Sequence, residues 1–249
     1  MRSILVTGGT GTLGRPTVEQ LRAAGHDVRV LSRKSGPGVV TGDLSSGEGL
    51  RAAVEGLDTV LHLATSNRRA DIRLAVNLLE TAREAAVDHL ILISIVGIDQ
   101  IPLPYYRDKL EVERLVMESP IPFSILRATQ FHNLLDRLMS AQKLLPCLLA
   151  PAVKLQPIAV EEVAARLAEI ASGPPSGRLP DIGGPEQLAL PELARSWKRA
   201  RGYRRPVAPV RLPGKTFRGY ASGAALVPGP PYGHTTFTDF LADQYGVTA

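Results

Sequence analysis

The feature that most constrains this chain lies within its first fourteen residues. The apolar, β-branched run Ile4-Leu5-Val6 leads directly into glycines spaced Gly8-x-x-Gly11-x-x-Gly14. Such a run reads as a buried parallel strand. Behind the glycines, Val18, Leu21 and Arg22 follow helical spacing. Strand, glycine turn and helix together are the setting in which a dinucleotide is held. Gly8 allows the tight turn, Gly11 lets backbone approach a pyrophosphate, and Gly14 lets helix and strand pack closely. Thr10, Thr12 and Leu13 lie in the same loop and join the expected cofactor-binding set. The N–H groups of the helix's first turn lack partners and, with the helix dipole, favour an anion there.

The rest of the first half repeats the theme. Apolar runs at 28–31, 39–44, 58–65, 89–94 and 123–128 alternate with helical patterns at 50–57, 69–87 and 105–118. This alternation predicts an α/β, Rossmann-like, doubly wound parallel sheet. Right-handed crossovers bring all strand carboxyl ends to one edge. Gly11, Arg33, Asp43, Thr65, Ser94 and Thr129 each come after a strand, so they are expected to share one site. With 249 residues the chain suits a nucleotide-binding domain over 1–135 and a small C-terminal substrate-binding region over 136–249, packed as one unit. In that region the apolar stretch Leu134–Leu149 reads as a helix over the substrate side. A strand and helix come next near 154–164, then a helix near 190–201, a last strand near 207–212 and a closing helix near 237–245.

The residues just past the second strand select the cofactor. An acidic residue there would bind the ribose hydroxyl of NAD, whereas cations suit the 2′-phosphate of NADP. The chain reads Ser32-Arg33-Lys34-Ser35, without a carboxylate. A guanidinium fork matches a phosphate dianion, so Arg33 and Lys34 indicate NADP(H). Asp43 has two readings, an acceptor for the cofactor's adenine or a turn aspartate capping a helix that begins near Ser46. His62, among apolar neighbours, reads as a satisfied core histidine.

The wording Thr7-Gly8-Gly9-Thr10-Gly11-x-x-Gly14 resembles the short-chain dehydrogenase/reductase superfamily, and most of all its atypical branch, the NmrA-like NAD(P)H-binding proteins. The resemblance implies that Asp43 and Leu44 lie against the adenine and that Leu63, Ala64 and Thr65 lie under the cofactor ribose. It also implies that Tyr105 and Lys109 are the Tyr-x-x-x-Lys active pair. Four apart on a helix, they share a face. Hydride transfer to a ketone builds negative charge on its oxygen, and a tyrosine can supply the proton there if a nearby cation lowers its pKa. Lys109 would supply that field and bind the ribose hydroxyls, while Ser94 would donate to the substrate carbonyl. Tyr105 could instead pack beside Tyr106 as a pocket wall. Phe131, His132 and Asn133 should line the substrate side, with His132 either a polar wall or an auxiliary acid.

The expected activity is therefore an NADPH-dependent reductase acting on a carbonyl or quinone of a small, apolar or aromatic substrate. The alternative is an NADP(H)-sensing regulatory protein of the NmrA type without catalysis, and a sugar-nucleotide epimerase ranks below both. Bulk properties bound the rest. The net charge is +5, and the stretch from Arg195 to Arg218 holds many cations and no carboxylate. It reads as a solvated face, because no nucleic-acid motif accompanies it. The single cysteine, Cys147, reads as a buried hydrophobe and suits a reducing cytoplasm. A first strand at the very start leaves no room for a signal peptide, and no apolar run reaches membrane-spanning length. The expected partners are a small-molecule substrate and at most a second copy, with no membrane, no nucleic acid and no metal.

Overall fold

A computed structural model describes residues 1–66 and 70–246. The elements run β1 (Ser3–Thr7), α1 (Gly14–Ala23), β2 (Asp27–Ser32), β3 (Val39–Thr41), α2 (Leu50–Val54), β4 (Thr59–His62), α3 (Asp71–Glu84), β5 (His89–Ile95), α4 (Pro104–Glu118) and β6 (Phe123–Ala128). They continue with α5 (His132–Ser140), β7 (Leu148–Pro151), β8 (Lys154–Leu155), α6 (Val160–Ser172), β9 (Gly177–Arg178), β10 (Leu188–Ala189), α7 (Leu190–Ala200), β11 (Val207–Val210), α8 (Lys215–Ala221) and α9 (Phe237–Tyr245). Two compact units form. The first comprises Met1–Ser94, Pro104–Arg127 and Glu161–Pro180; the second comprises Ile95–Leu103, Ala128–Val160 and Asp181–Ala249.

The first unit is built on the expected sheet, seven strands in the order β3-β2-β1-β4-β5-β6-β9. β1 pairs in parallel with β2 on one side and β4 on the other, with Thr7 level with both Leu31 and His62. The chain therefore winds outward from β1 and then returns to its other side. Between the ends of β1 and β4 lies the topological switch point, where open α/β sheets bind ligands. β4 is buried at every residue, as suits a parallel strand covered on both faces. Helical stripes cover the sheet: Gly14, Thr17, Val18 and Leu21 on α1, and Asp71, Ala75, Leu78 and Ala82 on α3. Leu5, Leu31, Val60, Leu90 and Leu92 pack with Leu78, Val112 and Val116 in one core.

The second unit has its own core around Trp197, with Leu135, Met139, Leu148, Leu193, Phe237 and Leu241. The Trp197 indole donates to Asp136 Oδ1 at 2.6 Å, and the Tyr245 hydroxyl donates to the same oxygen. β7 pairs in parallel with β11, and β8 pairs antiparallel with β10.

Several expectations need correction. The helix expected over 134–149 ends at Ser140; residues 141–147 turn, and β7 comes next. Pro146 denies an N–H to any continuing helix, and the Gln142 amide bonds both backbone groups of Leu149. Cys147 is half-buried rather than enclosed. The third strand stops at Thr41, and no helix begins near Ser46. Asp43 instead closes a turn, and α2 starts only after Gly49, which takes a left-handed φ of 73°. α3 begins at Asp71, and its expected start at Arg69 lies outside the described residues. Residue 135, where the domain boundary is expected, falls inside the second unit, and most of α6 together with β9 returns to the first. β9 pairs with β6, Ser124 level with Gly177, which extends the sheet by one strand.

Candidate functional site

The glycine loop is ordered by three different demands. Gly8 has φ of 71°, and a Cβ there would stand 2.7 Å from the Ala64 nitrogen, so β1 and the end of β4 touch through it. A Cβ on Gly14 would lie 2.1 Å from the Gly8 carbonyl oxygen. Gly11 is different: its φ is not left-handed, it is exposed, and a Cβ would meet only that same oxygen, at 3.1 Å. Thr10 and Thr12 are exposed beside it, and Arg15 Nε braces the Thr10 carbonyl at 3.0 Å. Leu13 is buried, so it offers a ligand only its backbone. α1 has no side-chain N-cap and no acidic residue in its first turn. A ten-residue helix with a bare N-terminus at the switch point fits a pyrophosphate.

Arg33 and Lys34 are exposed just past β2. Asp43 Oδ1 accepts the Ser45 N–H at 2.8 Å and also the Ser45 hydroxyl. Those bonds hold its carboxyl below the usual range, helped by the nearby charges of Arg33 and Arg73. Leu44 is a core residue whose carbonyl accepts from Asn77 Nδ2 at 2.8 Å.

At the carboxyl ends of β4 and β5 a polar cluster stands in an apolar setting. The Thr65 hydroxyl donates to Asp71 Oδ2 at 2.6 Å and lies 3.3 Å from the Tyr105 hydroxyl. With its own proton on Asp71, Thr65 must accept from Tyr105. Asp71 Oδ1 also accepts from the Ser66 N–H at 2.6 Å and the Ser66 hydroxyl at 2.5 Å. Tyr105 sits in the first turn of α4, its ring centre 6.2 Å from that of Tyr106. One turn on, Lys109 is 4% exposed. Burial lowers its pKa, opposed by the charges of Asp71 and Glu113. Among the described residues Lys109 closes no hydrogen bond or ion pair. The lowered tyrosine pKa expected from the sequence is not found: burial raises that of Tyr105, the Thr65 bond works against this, and the Asp71 charge adds to it. Ser94 is buried and, among the described residues, its hydroxyl has no hydrogen-bond partner. His62 is the satisfied core histidine anticipated, with Nδ1 2.8 Å from Thr7 Oγ1. Burial, then the Lys109 charge, push its pKa down to about 3, so it is neutral.

The second unit holds the other expected residues. Thr129 is engaged internally, its hydroxyl with the Gln156 carbonyl at 2.5 Å and its N–H with the Ile182 carbonyl at 3.0 Å. Phe131 precedes α5 and is half-buried. His132 is fully buried, stacked on Phe237 and Phe240 with centroids 5.6 and 5.3 Å away, and Nε2 donates to the Thr235 carbonyl. That makes it part of an aromatic stack rather than an open polar wall. Among the described residues, Asn133 Oδ1 is buried without a partner, as are both amide atoms of Gln130, which is 8% exposed. The sequence alone singles out neither Asp71 nor Gln130. A carboxylate on the buried stripe of α3 is the signal that could have found Asp71; Gln130 shows only its place two residues past β6.

The family model described as NAD(P)H-binding matches residues 8–174. Photosystem II assembly factor Ycf39 of Trieres chinensis is 30% identical over 148 residues, covering 53% of this chain and 46% of that protein. The chloroplastic divinyl chlorophyllide a 8-vinyl-reductase of Oryza sativa subsp. indica is 27% identical over 226 residues, covering 76% of this chain and 56% of that one. The matched stretches thus span only part of each relative. Among solved structures, the NADPH-dependent quinone oxidoreductase QOR2 of Escherichia coli, complexed with NADPH, superimposes with a TM-score of 0.82 at 19% identity, covering 97% of this chain and 99% of that one. That likeness is one of fold. Among the described residues, no helix is long and apolar enough to cross a membrane, and no cluster of residues suited to a metal ion is found.

Proposed function

The chain belongs to the NAD(P)H-binding family, and from that premise we propose that it is a cytoplasmic, NADPH-dependent oxidoreductase that reduces a carbonyl or quinone of a small, apolar or aromatic substrate. The observation that carries this reading is the buried ammonium of Lys109, one turn from a Tyr105 hydroxyl already oriented by Thr65 and Asp71. The loop Gly8–Gly14 binds the pyrophosphate, with Thr10, Thr12 and Leu13 supplying backbone donors and Gly11, whose own N–H bonds the Gly8 carbonyl at 2.9 Å, allowing close approach. Arg33 and Lys34 bind the 2′-phosphate. Asp43 and Leu44 border the adenine, and Leu63, Ala64 and Thr65 border the ribose. Thr129 belongs to the cofactor-binding set, and Phe131, His132 and Asn133 belong to the substrate side.

The nicotinamide, when bound, supplies the hydride. Tyr105 gives its phenolic proton to the substrate oxygen as that oxygen gains charge. Burial raises its pKa, so the phenol is a weaker acid than a free tyrosine and depends on the Lys109 charge to release its proton. Lys109 binds the ribose hydroxyls and stabilises the phenolate left behind. Ser94, whose hydroxyl lacks a partner among the described residues, donates to the same substrate oxygen. Asp71 holds Thr65, and Thr65 holds Tyr105, so both are positioning residues.

A second reading, an NADP(H)-binding regulatory protein without catalysis, is favoured by one observation: Tyr105 is tied through Thr65 toward a carboxylate, and among the described residues no cation lowers its pKa. NADPH consumption against a panel of ketones, enones and quinones, with NADH in parallel, separates the two. The enzyme consumes NADPH with one acceptor class, and Tyr105→Phe cuts turnover at least about a hundredfold while leaving cofactor affinity intact. Binding of NADPH without turnover of any acceptor supports the regulatory protein.

A further inference from the structure

Two stretches of the second unit, 137–160 and 193–238, contain no carboxylate at all. The parallel pairing of β7 with β11 lays them side by side, Leu148 level with Val207. Between α5 and β7 the turn 141–147 is pinned in shape. Gln142 Oε1 accepts the Leu149 N–H at 2.9 Å, and Arg205 Nη1 donates to the carbonyls of Gln142 at 2.6 Å and Leu145 at 3.0 Å. This built loop holds apolar side chains outward: Leu144 is 89% exposed, and Leu145 and Leu149 are also exposed. Lys143 and Arg204 are exposed on the two adjoining stretches. Beside them Arg205 and Arg201 stack on the Tyr203 ring at 4.9 and 5.4 Å.

A pinned loop that keeps leucines in water needs a partner. Its surroundings are cationic, so that partner must be anionic at the rim and apolar within. Nucleic acid meets the first condition and would leave Leu144 in water. We propose that this face docks peripherally on an anionic lipid bilayer. Leu144 and Leu145 enter the boundary between headgroups and acyl chains, while Lys143 and Arg204 meet lipid phosphates and Tyr203 lies at headgroup level. This revises the expectation of no membrane partner, which rests on the lack of an apolar run long enough to span; peripheral docking requires none.

Flotation of the whole protein with extruded vesicles tests this, comparing pure phosphatidylcholine with a phosphatidylcholine–phosphatidylglycerol mixture at low and high salt. The protein should float with the mixture and not with phosphatidylcholine alone. Leu144→Ser/Leu145→Ser should weaken binding at least about tenfold through lost apolar burial, and Lys143→Gln/Arg204→Gln should weaken it by about fivefold per cation. Thermal unfolding of each variant serves as the control for folding. The proposal is overturned if the mixed vesicles fail to float the protein, or if the leucine variants bind as well as wild type, which would mean simple charge adsorption. It is equally overturned if wild type ignores vesicles yet elutes as a dimer that the leucine variants split, which would make this face a contact between copies.

Discussion

Two buried charges stand one turn apart on α4, and the fold treats them oppositely. Glu113, 1% exposed, is gripped by Arg127 through a two-pronged pair, Nε to Oε1 at 2.8 Å and Nη2 to Oε2 at 2.7 Å. Lys109, 4% exposed, closes no such contact among the described residues, where the fields of Asp71 and Glu113 support its charge. A satisfied pair is an internal fastening. A lysine side chain this deeply buried without a bonded partner is a penalty the fold bears, and under the proposed function its place beside Tyr105 gives a reason: the bound cofactor would complete it.

This contrast can be broken by mutation. Glu113→Gln should lower unfolding free energy by about 1.5–3 kcal/mol, because it removes the buried carboxylate that accepts both prongs of the Arg127 guanidinium. Denaturant titration would measure that, and NADPH affinity should remain near wild type. Lys109→Met should behave in reverse: turnover falls at least about a hundredfold, while stability holds or rises. Arg33→Ala should weaken NADPH about tenfold through loss of a charged phosphate contact and spare NADH. Calorimetric titration of both cofactors decides this, and equal losses would place the 2′-phosphate elsewhere. A smaller effect comes from His62, whose folded pKa of about 3 lies below the 6.5 of an unperturbed histidine. The unfolded chain therefore takes up that proton first. Stability is complete above pH 6.5 and declines toward pH 3, by at most about 1.4 kcal/mol per unit from this group. The slope should flatten in His62→Asn.

Much of the sheet is legible in the sequence because buried parallel strands advertise themselves as unbroken β-branched runs. Phe123–Ala128 is legible to the residue, and the glycine loop sits where its spacing puts it, at the switch point. The leucines of 134–149 mislead because apolar content without a clean period resembles a helix, whereas these leucines largely face water. Asp43 invites a reading from its chemistry, but a local Ser45 partner decides its geometry. Asp71 escapes notice because a single carboxylate at a helix start looks like dipole compensation; only the folded chain shows Thr65 and Ser66 gathered on it. The raised pKa of Tyr105 is equally out of reach, since Tyr-x-x-x-Lys spacing carries no information about burial.

The most direct test of a ligand-completed ammonium is the thermal unfolding midpoint of wild type and Lys109→Met, each with and without saturating NADPH. The ligand-free variant should be at least as stable as wild type, and most of the rise produced by NADPH should disappear with the ammonium. A variant that unfolds earlier yet keeps the full NADPH-induced rise would mean that Lys109 serves the fold rather than the cofactor.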